Sequence, residues 1–361
     1  MNILYISDSY LSLSVFKSQV HTICNYHSKK HNVTLLALCN IHDIKQEKPK
    51  DALYELVKLY RYPKMFIPII NRLRAFSSKN ILNKILNSAD LIHCRGHVSS
   101  AFAINLLKML KIDKPIIADI RGVIGEELLN RETLLSKFYC TQTKIIERYV
   151  FKYCDYLFFV SHNMQKYYMD KYGFKQHSAV FPTIVDEKLF YVSSEKRNII
   201  RKQLKISERL CYVYVGGVDY WQNLDKILLK FDKINKENKT KFFFIVLTNN
   251  KQWVFDFSHK NNIELDNFYI DSLPYDKVPL YLNAADFGVI IRNDDLINFV
   301  ASPTKINEYL ACGLKIINDL DQIGVNQKFL NVEYRNIVSI ISEQDSIYSA
   351  LLIDKTTEIK K

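Results

Sequence analysis

Residues 300–317, Val-Ala-Ser-Pro-Thr-Lys-Ile-Asn-Glu-Tyr-Leu-Ala-Cys-Gly-Leu-Lys-Ile-Ile, have the pattern of a turn, a short helix and a buried strand. Pro303 has a fixed φ and no N–H, so it suits a loop or a first helical turn, with Ser302 or Thr304 as the expected cap. Gly313 is expected to end the helix. A junction of this kind builds a ligand site.

The start of this short helix has the chemistry of an anion site. Free N–H groups at a helix start can hold a phosphate, and Lys305 adds a positive charge beside them. One turn further on, Glu308 can accept hydrogen bonds from sugar hydroxyls. The alternative interpretation is ordinary helix capping followed by a solvated glutamate.

The N-terminal half alternates short apolar runs with helical stretches, which predicts a parallel sheet covered by helices. The predicted strands are 2–7, 32–38, 91–94, 115–119 and 156–160, and the predicted helices are 15–30, 98–110 and 134–154. Continuous apolar runs such as residues 116–118 indicate strands that are buried on both faces.

The C-terminal half repeats the alternation. Its predicted strands are 211–215, 242–247, 268–270, 287–291 and 315–317, and its predicted helices are 224–234, 276–284 and 307–311. Between the halves lie residues 180–190 and the polar stretch 193–205, which are interpreted as a hinge. The predicted domains are 1–182 and 183–340, followed by a C-terminal helix or tail, 341–361, that can pack back on the first domain.

The resulting fold class is α/β, with two Rossmann-like doubly wound domains facing a central crevice. Ligands of such sheets bind at the carboxyl ends of the strands. The length of 361 residues and the 48% hydrophobic composition are sufficient for two cores.

The composition also indicates the cellular compartment to expect. The seven cysteines form no C-x-x-C motif and no recognised pairing with histidines. Neither a zinc site nor a disulfide framework is therefore predicted, and a reducing cytoplasm is the favoured compartment. The first residues have a strand pattern without a basic leader, and no run of about 18 apolar residues follows. We therefore expect a chain that is neither secreted nor membrane-spanning.

The net charge of +12 favours polyanionic partners. Residues 58–84, from Lys58 to Lys84, contain seven Lys/Arg and no acid, with aromatic and aliphatic residues between them. This composition suits a segment at an anionic membrane surface. A buried helix with a solvated basic face is an equal alternative, and nucleic acid ranks last because no basic-aromatic module is present.

The opening segment resembles the donor-sugar motif of retaining GT-B glycosyltransferases, especially glycosyltransferase family 4. In that family, the second acid of an E-x7-E pair precedes Ala/Tyr-x-Ala-x-Gly, and Glu308 fits this position. Val300 occupies the first acidic position, which is a departure. Many bacterial members carry Ser-Pro-Thr-Lys in the same loop, as this chain does at 302–305.

The resemblance implies that the second domain binds a nucleotide-sugar donor whose diphosphate needs cations and N–H groups, because the leaving group takes the negative charge. Asp219-Tyr-Trp-Gln-Asn does not reproduce the family's basic pair after the Gly-Gly turn. No D-x-D motif has a convincing context, so neither a metal nor a cofactor is predicted. The predicted donor-binding residues are Gly216, Gly217, Arg292, Ser302, Pro303, Thr304, Lys305 and Glu308.

The resemblance also assigns residues to the acceptor side of the first domain. His97 and Arg121 are predicted, with Glu308, as catalytic residues. Asp119 and Glu127 are further acceptor-side candidates. Asp119 ends a predicted strand and the other three residues follow one, and for each of the four the alternative is a hydrogen-bonded loop residue.

The predicted function is a retaining glycosyltransferase that moves a sugar from a nucleotide diphosphate to a glycan or lipid-linked acceptor in bacterial surface polysaccharide synthesis. The predicted location is cytoplasmic, peripheral on the inner face of the plasma membrane. A non-catalytic GT-B partner subunit is one alternative, suggested by Val300. A nucleotide-sugar epimerase of the same fold is another.

Overall fold

The computed structural model describes residues 1–9, 11, 14–40, 43–60, 79–129, 134–206, 208–238, 240–322 and 337–358. The chain forms two compact units. The first comprises Met1–Thr183, Phe299–Ser302 and Arg335–Lys361, and the second comprises Ile184–Asn298 and Pro303–Tyr334. The chain first crosses from the first unit into the second after Thr183, one residue beyond the predicted domain boundary.

The first unit contains a seven-stranded sheet in the order β3-β2-β1-β4-β5-β6-β7, and every neighbouring pair is parallel. The strands are β1 Asn2–Ser7, β2 Asn32–Cys39, β3 Glu55–Tyr60, β4 Leu91–Arg95, β5 Ile116–Ile120, β6 Tyr156–Phe159 and β7 His177–Val180. The strand order reverses between β1 and β4, as in a doubly wound fold.

Helices connect these strands, as parallel pairing requires. They are α1 Ser14–Phe16, which continues through a π-helical turn at Lys17–His21 into α2 Thr22–His27, then α3 Lys79–Ser88, α4 Gly96–Leu110, α5 Ile124–Leu129, α6 Leu134–Tyr153 and α7 His162–Tyr172. A 3-10 turn at Asp43–Lys45 precedes β3.

The second unit contains a five-stranded parallel sheet in the order β10-β9-β8-β11-β12. Its strands are β8 Leu210–Val215, β9 Phe242–Leu247, β10 Phe268–Asp271, β11 Phe287–Val289 and β12 Lys315–Ile317. Alternate residues of β9 pack into hydrophobic cores on opposite faces of this sheet, because successive strand side chains point to opposite sides.

The remaining helices are α8 Ser194–Leu204, α9 Leu224–Glu237, α10 Lys251–Lys260, α11 Val278–Ala284, α12 Leu296–Val300, α13 Thr304–Ala311 and α14 Ile337–Glu358. Short 3-10 turns occur at Tyr220–Gln222, Tyr275–Lys277 and Leu320–Gln322. α14 belongs to the first unit, where the hydroxyl group of Tyr348 lies 2.5 Å from His93 Nδ1.

Two local predictions are wrong. The polar stretch 193–205, interpreted as part of a hinge, forms α8, whose N-cap Ser193 accepts a hydrogen bond from the Lys196 N–H. A serine followed by strong helix formers explains this helix. At the start of α13, neither Ser302 nor Thr304 is the cap, because Pro303 occupies the N-cap position and makes no side-chain cap bond.

The basic segment is described only at its ends. Lys58 lies in β3, and its Nζ donates a hydrogen bond to the Ile44 carbonyl at 2.9 Å. Residues 61–78 lie outside the described residues, and α3 begins at Lys79. No helix among the described residues is long and apolar enough to span a bilayer.

Candidate functional site

The carboxyl edge of the five-stranded sheet contains the clearest candidate site. The strand order reverses between β8 and β11, and ligands of doubly wound sheets bind beyond the strand ends at such a reversal. Gly216 and Gly217 follow β8 directly, and Arg292 lies three residues beyond the end of β11. The fold therefore places three predicted donor-binding residues just beyond the ends of the two strands that flank this position.

Two tyrosines fix the backbone of this edge. The Tyr214 hydroxyl donates a hydrogen bond to the Gly217 carbonyl at 2.6 Å, and a Cβ at position 216 would lie only 2.7 Å from the same hydroxyl oxygen. The Tyr309 hydroxyl accepts a hydrogen bond from the Val215 N–H at 3.0 Å. A Cβ on Gly288 would overlap the Tyr309 ring, so glycine is required there for close packing.

Arg292 is a cation at this edge of the sheet without a direct partner among the described residues. Its side chain is half-buried, and its guanidinium makes no hydrogen bond or ion pair with any residue that the structure describes. Burial lowers the pKa of Arg292, while Tyr214, Tyr309 and the carboxylates of Asp295 and Asp219 oppose this shift. An arginine remains charged in proteins. A half-buried cation without a direct hydrogen bond or ion pair can provide a binding group for an external anion.

The helix α13 contributes a second part of the site. Its first turn has no side-chain cap. The carboxylate of Glu308, one turn further on, is fully buried, and its Oε2 lies 2.7 Å from Lys305 Nζ. The Tyr275 hydroxyl donates to Glu308 Oε1 at 3.4 Å. The structure therefore joins Lys305 and Glu308 into an ion pair.

The predicted donor loop divides between the two units, because Ser302 belongs to the first and Pro303 to the second. In the first unit, the Ser302 hydroxyl oxygen accepts a hydrogen bond from the Thr183 N–H at 3.1 Å. The Val300 carbonyl accepts one from the Ser161 hydroxyl at 2.6 Å. Val300 itself is buried, so its side chain has a packing role where the family carries an acid.

The first unit contains a buried ionic cluster at the end of β5. Arg121 Nη2 and Nε both lie 2.7 Å from Asp119 Oδ2, and His93 Nε2 lies 3.4 Å from the same oxygen. Burial alone would raise the pKa of Asp119, but Arg121, His93 and Arg95 outweigh it and hold that pKa well below its usual range. Asp119 and Arg121 are therefore paired with each other.

His97 and Glu127 have different surroundings. The His97 ring is buried in the first turn of α4, at centroid distances of 5.9 Å from Phe151 and 5.5 Å from Tyr168. Burial lowers the pKa of His97, and its Nε2 has no hydrogen-bond partner among the described residues. Glu127 is half-buried in α5. The roles of both residues stay predictions.

The sequence reasoning did not identify His93 and Arg95 as partners of Asp119. Both lie on β4, whose parallel register with β5 pairs Arg95 with Asp119. Arg95 Nη1 is 4.0 Å from Asp119 Oδ2. The signal was present, because two adjacent predicted strands each place polar residues near the carboxyl end of a parallel sheet.

Residues 18–189 match the sequence model of Glycosyltransferase Family 4. No curated protein matches the chain at a significant level. The family match falls on the N-terminal part of the chain and stops before the candidate donor site, so the assignment of that site rests on its own geometry.

Solved structures resemble the chain over most of its length. Sucrose-phosphate synthase from Thermosynechococcus elongatus gives a TM-score of 0.67 at 13% identity, over 88% of this chain and 81% of that chain. Anabaena HepE in complex with UDP-glucose gives a TM-score of 0.63 at 12% identity, over 99% of this chain and 91% of that chain. WaaG, a glycosyltransferase involved in lipopolysaccharide biosynthesis, gives a TM-score of 0.62 at 12% identity, over 87% of this chain and 80% of that chain.

At these identities the likeness establishes the fold. The predicted fold class is confirmed: the chain has two Rossmann-like domains with parallel sheets, as in GT-B proteins. Together with the family match, these neighbours support a glycosyltransferase of the GT-B fold.

Proposed function

We propose that the chain is a retaining glycosyltransferase that transfers a sugar from a nucleotide-diphosphate donor to a glycan or lipid-linked acceptor in bacterial surface polysaccharide synthesis. The observation that carries this proposal is Arg292, a half-buried guanidinium without a described partner at the reversal point of the second sheet. A diphosphate is an anion of matching chemistry, because its oxygens accept paired N–H bonds from a guanidinium fork.

In this proposal the second unit holds the donor diphosphate through three kinds of group. Arg292 binds one phosphate, the N–H groups at the start of α13 bind the other, and Lys305 adds charge beside them. Glu308 accepts hydrogen bonds from hydroxyls of the ribose or of the transferred sugar. Because negative charge accumulates on the diphosphate as the glycosidic bond breaks, these groups stabilise the transition state more than the ground state.

The transfer itself needs no enzymatic nucleophile. The acceptor hydroxyl attacks the anomeric carbon from the face that the diphosphate leaves, and the departing phosphate oxygen accepts the hydroxyl proton. The new glycosidic bond then has the configuration of the old one. The protein contributes orientation and electrostatic stabilisation. On the acceptor side, His97, Arg121, Asp119 and Glu127 remain the candidate residues, and the reaction proceeds without a metal.

The first donors to test are UDP-sugars, because HepE, a neighbour of the same fold, is described in complex with UDP-glucose. A panel of nucleotide sugars should include one that raises the melting temperature, since a ligand at a hundred times its dissociation constant stabilises by about 2.7 kcal/mol. If no nucleotide sugar binds, the non-catalytic partner subunit becomes the better proposal. Conversion of a donor without any acceptor would favour the epimerase.

Replacing Glu308 with glutamine should weaken use of the donor. Hydrogen bonds to charged groups contribute about 1.5–3 kcal/mol, so kcat/KM is expected to fall roughly 10- to 100-fold. The measurement is the initial rate of sugar transfer over a range of donor concentrations. Asp256→Asn, which removes an exposed carboxylate from the same unit, should leave the rate unchanged.

The Glu308 variant also discriminates between two roles. If Glu308 served only to neutralise Lys305, glutamine would release the ammonium group and donor binding would become tighter. Tighter or unchanged binding would therefore contradict the assignment of Glu308 to donor hydroxyls.

We further propose that the first unit lies against an anionic membrane surface through α6. The outward face of this helix carries basic residues beside two large exposed apolar residues: Lys137, Lys144, Arg148, Lys152, Phe138 and Ile145. The single acid of α6, Glu147, is buried. Cations beside exposed apolar side chains, without acids, complement anionic head groups above an apolar boundary. A location at the inner face of the plasma membrane is part of this proposal.

Replacing Lys144, Arg148 and Lys152 together with glutamine should weaken binding to phosphatidylserine-containing vesicles about a hundredfold. The reason is that each basic residue near such a surface contributes about 1 kcal/mol. Vesicle sedimentation at low salt measures the effect. A triple replacement of exposed lysines in the second unit, Lys188, Lys202 and Lys233, provides a charge-matched control. Equal losses in both triple variants would show that net charge, and not the α6 face, determines binding.

A further inference from the structure

Two histidines and one aspartate meet where α2 and α14 pack in the first unit. His27 ends α2, and the His31 N–H bonds to the His27 carbonyl at 3.0 Å, so the two side chains lie one helical turn apart. Asp345 comes from α14. Its Oδ1 lies 2.9 Å from His27 Nδ1 and 3.1 Å from His31 Nε2.

The spacing of these three groups suits a tetrahedral transition-metal site. With Zn–N and Zn–O bonds of about 2.0–2.1 Å, neighbouring ligand atoms of a tetrahedral ion are about 3.3–3.4 Å apart. The two measured distances are slightly shorter, and one ligand atom from each residue lies within 4.8 Å of the others. Small side-chain rotations are therefore sufficient to admit an ion.

The hydrogen bonding of the cluster is incomplete without a cation. His31 Nδ1 and Asp345 Oδ2 are buried and have no hydrogen-bond partner among the described residues, and the 3.1 Å contact of His31 Nε2 with Asp345 Oδ1 lacks hydrogen-bond geometry. Buried polar atoms usually have such partners, and each exception requires an explanation. An ion at this position would provide a partner for His31 and for the carboxylate at once.

The second ring nitrogen of His27 has polar neighbours of its own. Nε2 lies 3.1 Å from the side-chain amide of Gln344 and 3.4 Å from the Tyr348 hydroxyl. Metal-bound histidines hold their other ring nitrogen with partners of this kind. Nδ1, which lies 2.9 Å from Asp345 Oδ1, is therefore the nitrogen that faces the proposed ion.

We propose that His27, His31 and Asp345 bind one divalent transition-metal ion of the zinc class, with water in the remaining position. Two imidazoles and one carboxylate form a donor set that suits such an ion. The ion fastens the C-terminal helix α14 to α2. The site adjoins the buried ionic cluster, because the Tyr348 hydroxyl contacts both His27 and His93, and it does not depend on the proposed transferase activity.

One neighbouring cation competes with the ion. Lys30 Nζ lies 3.7 Å from Asp345 Oδ2, but its side chain is 63% exposed and can turn toward water. In the sequence, the spacing His27-x3-His31 places two histidines one helical turn apart. The aspartate could not have been assigned to them, since it is 314 residues further along the chain than His31.

Zinc content of the full chain tests the proposal. Protein stripped with a chelator, reloaded with Zn²⁺ alone and passed through a desalting column should retain one zinc ion per chain in the wild type. His31→Asn and Asp345→Asn should retain none. His259→Asn, which removes an exposed histidine of the second unit, should retain one. Equal zinc content in His31→Asn and the wild type, or no retained zinc in the wild type, would overturn the proposal.

Two further variants separate metal binding from general stability. Gln344→Leu removes the nearer of the two polar groups beside His27 Nε2 and no proposed ligand, so zinc affinity measured by titration calorimetry should fall about 10- to 100-fold. Lys30→Gln removes the competing cation and should bind zinc at least as tightly as the wild type.

The wild type alone also provides a test, should the ligand variants fail to fold. X-ray absorption at the zinc edge should show two imidazole ligands. A spectrum without imidazole would overturn the assignment.

Discussion

Replacement of Arg292 with methionine is expected to lower kcat about 10²- to 10³-fold, the cost of removing one preorganised group that stabilises transition-state charge. Methionine keeps most of the length and apolar contact of the side chain but removes the fork of N–H donors. Steady-state transfer from the nucleotide sugar identified in the donor screen measures the effect. Arg292→Lys should be intermediate, because it keeps the charge and loses the paired geometry.

Stability measurements make this prediction specific to function. Arg292 has no hydrogen-bond or ion-pair partner among the described residues, and burying an unpaired charge costs free energy. The methionine variant should therefore melt at the same temperature as the wild type or higher, although it is nearly inactive. A variant that loses activity and melts much earlier would indicate a structural role, and an unchanged kcat would remove Arg292 from the donor site.

Replacement of Asp119 with asparagine is expected to lower the free energy of unfolding by about 3–5 kcal/mol, because removing one member of a buried ionic group leaves its partners uncompensated. Asp119 is fully buried, and Arg121 is close to it. Denaturant unfolding at pH 7 measures the change. Asp170→Asn, which removes an exposed helical partner of Lys166, should change stability by less than about 0.5 kcal/mol.

The effect of Asp119 should also depend on pH. Burial raises the pKa of this carboxyl, yet the neighbouring cations and His93 hold the folded-state pKa below the unfolded value of about 3.9. A group with a depressed pKa stabilises fully above the unfolded pKa, and this stabilisation is lost as pH falls toward the folded pKa. The difference between the wild type and Asp119→Asn should therefore narrow from pH 7 to pH 3. A constant difference would show that ionisation of Asp119 is not responsible.

The central strands of both sheets could be predicted because they are continuous apolar runs. Phe242–Leu247, for example, is buried at every position and was predicted with these bounds. The strands β3 and β7, which sequence reasoning missed, are the two edges of the seven-stranded sheet. Edge strands have one unpaired side and tolerate polar residues. Glu55 and His177 therefore interrupt the apolar run by which the other strands were predicted.

The candidate site could be predicted in part. Lys305 and Glu308 were both selected from the sequence, and residues three apart are neighbours on a helix, but the ion pair between them was not predicted. The lack of a hydrogen-bond or ion-pair partner for Arg292 among the described residues was not predictable, because it depends on how the whole edge of the sheet packs. For the same reason the contact between Tyr348 and His93, which are 255 residues apart, required the complete fold.

The return of α14 to the first unit has a consequence for biosynthesis. A ribosome produces the strands of that unit first, but Tyr348 and Asp345, which contact its core and α2, emerge only after the whole second unit. The second unit, which ends at Tyr334, can complete its sheet before the first is finished. The first domain to be synthesised is thus the last to be completed, and a nascent chain arrested before α14 leaves His93 without its tyrosine partner.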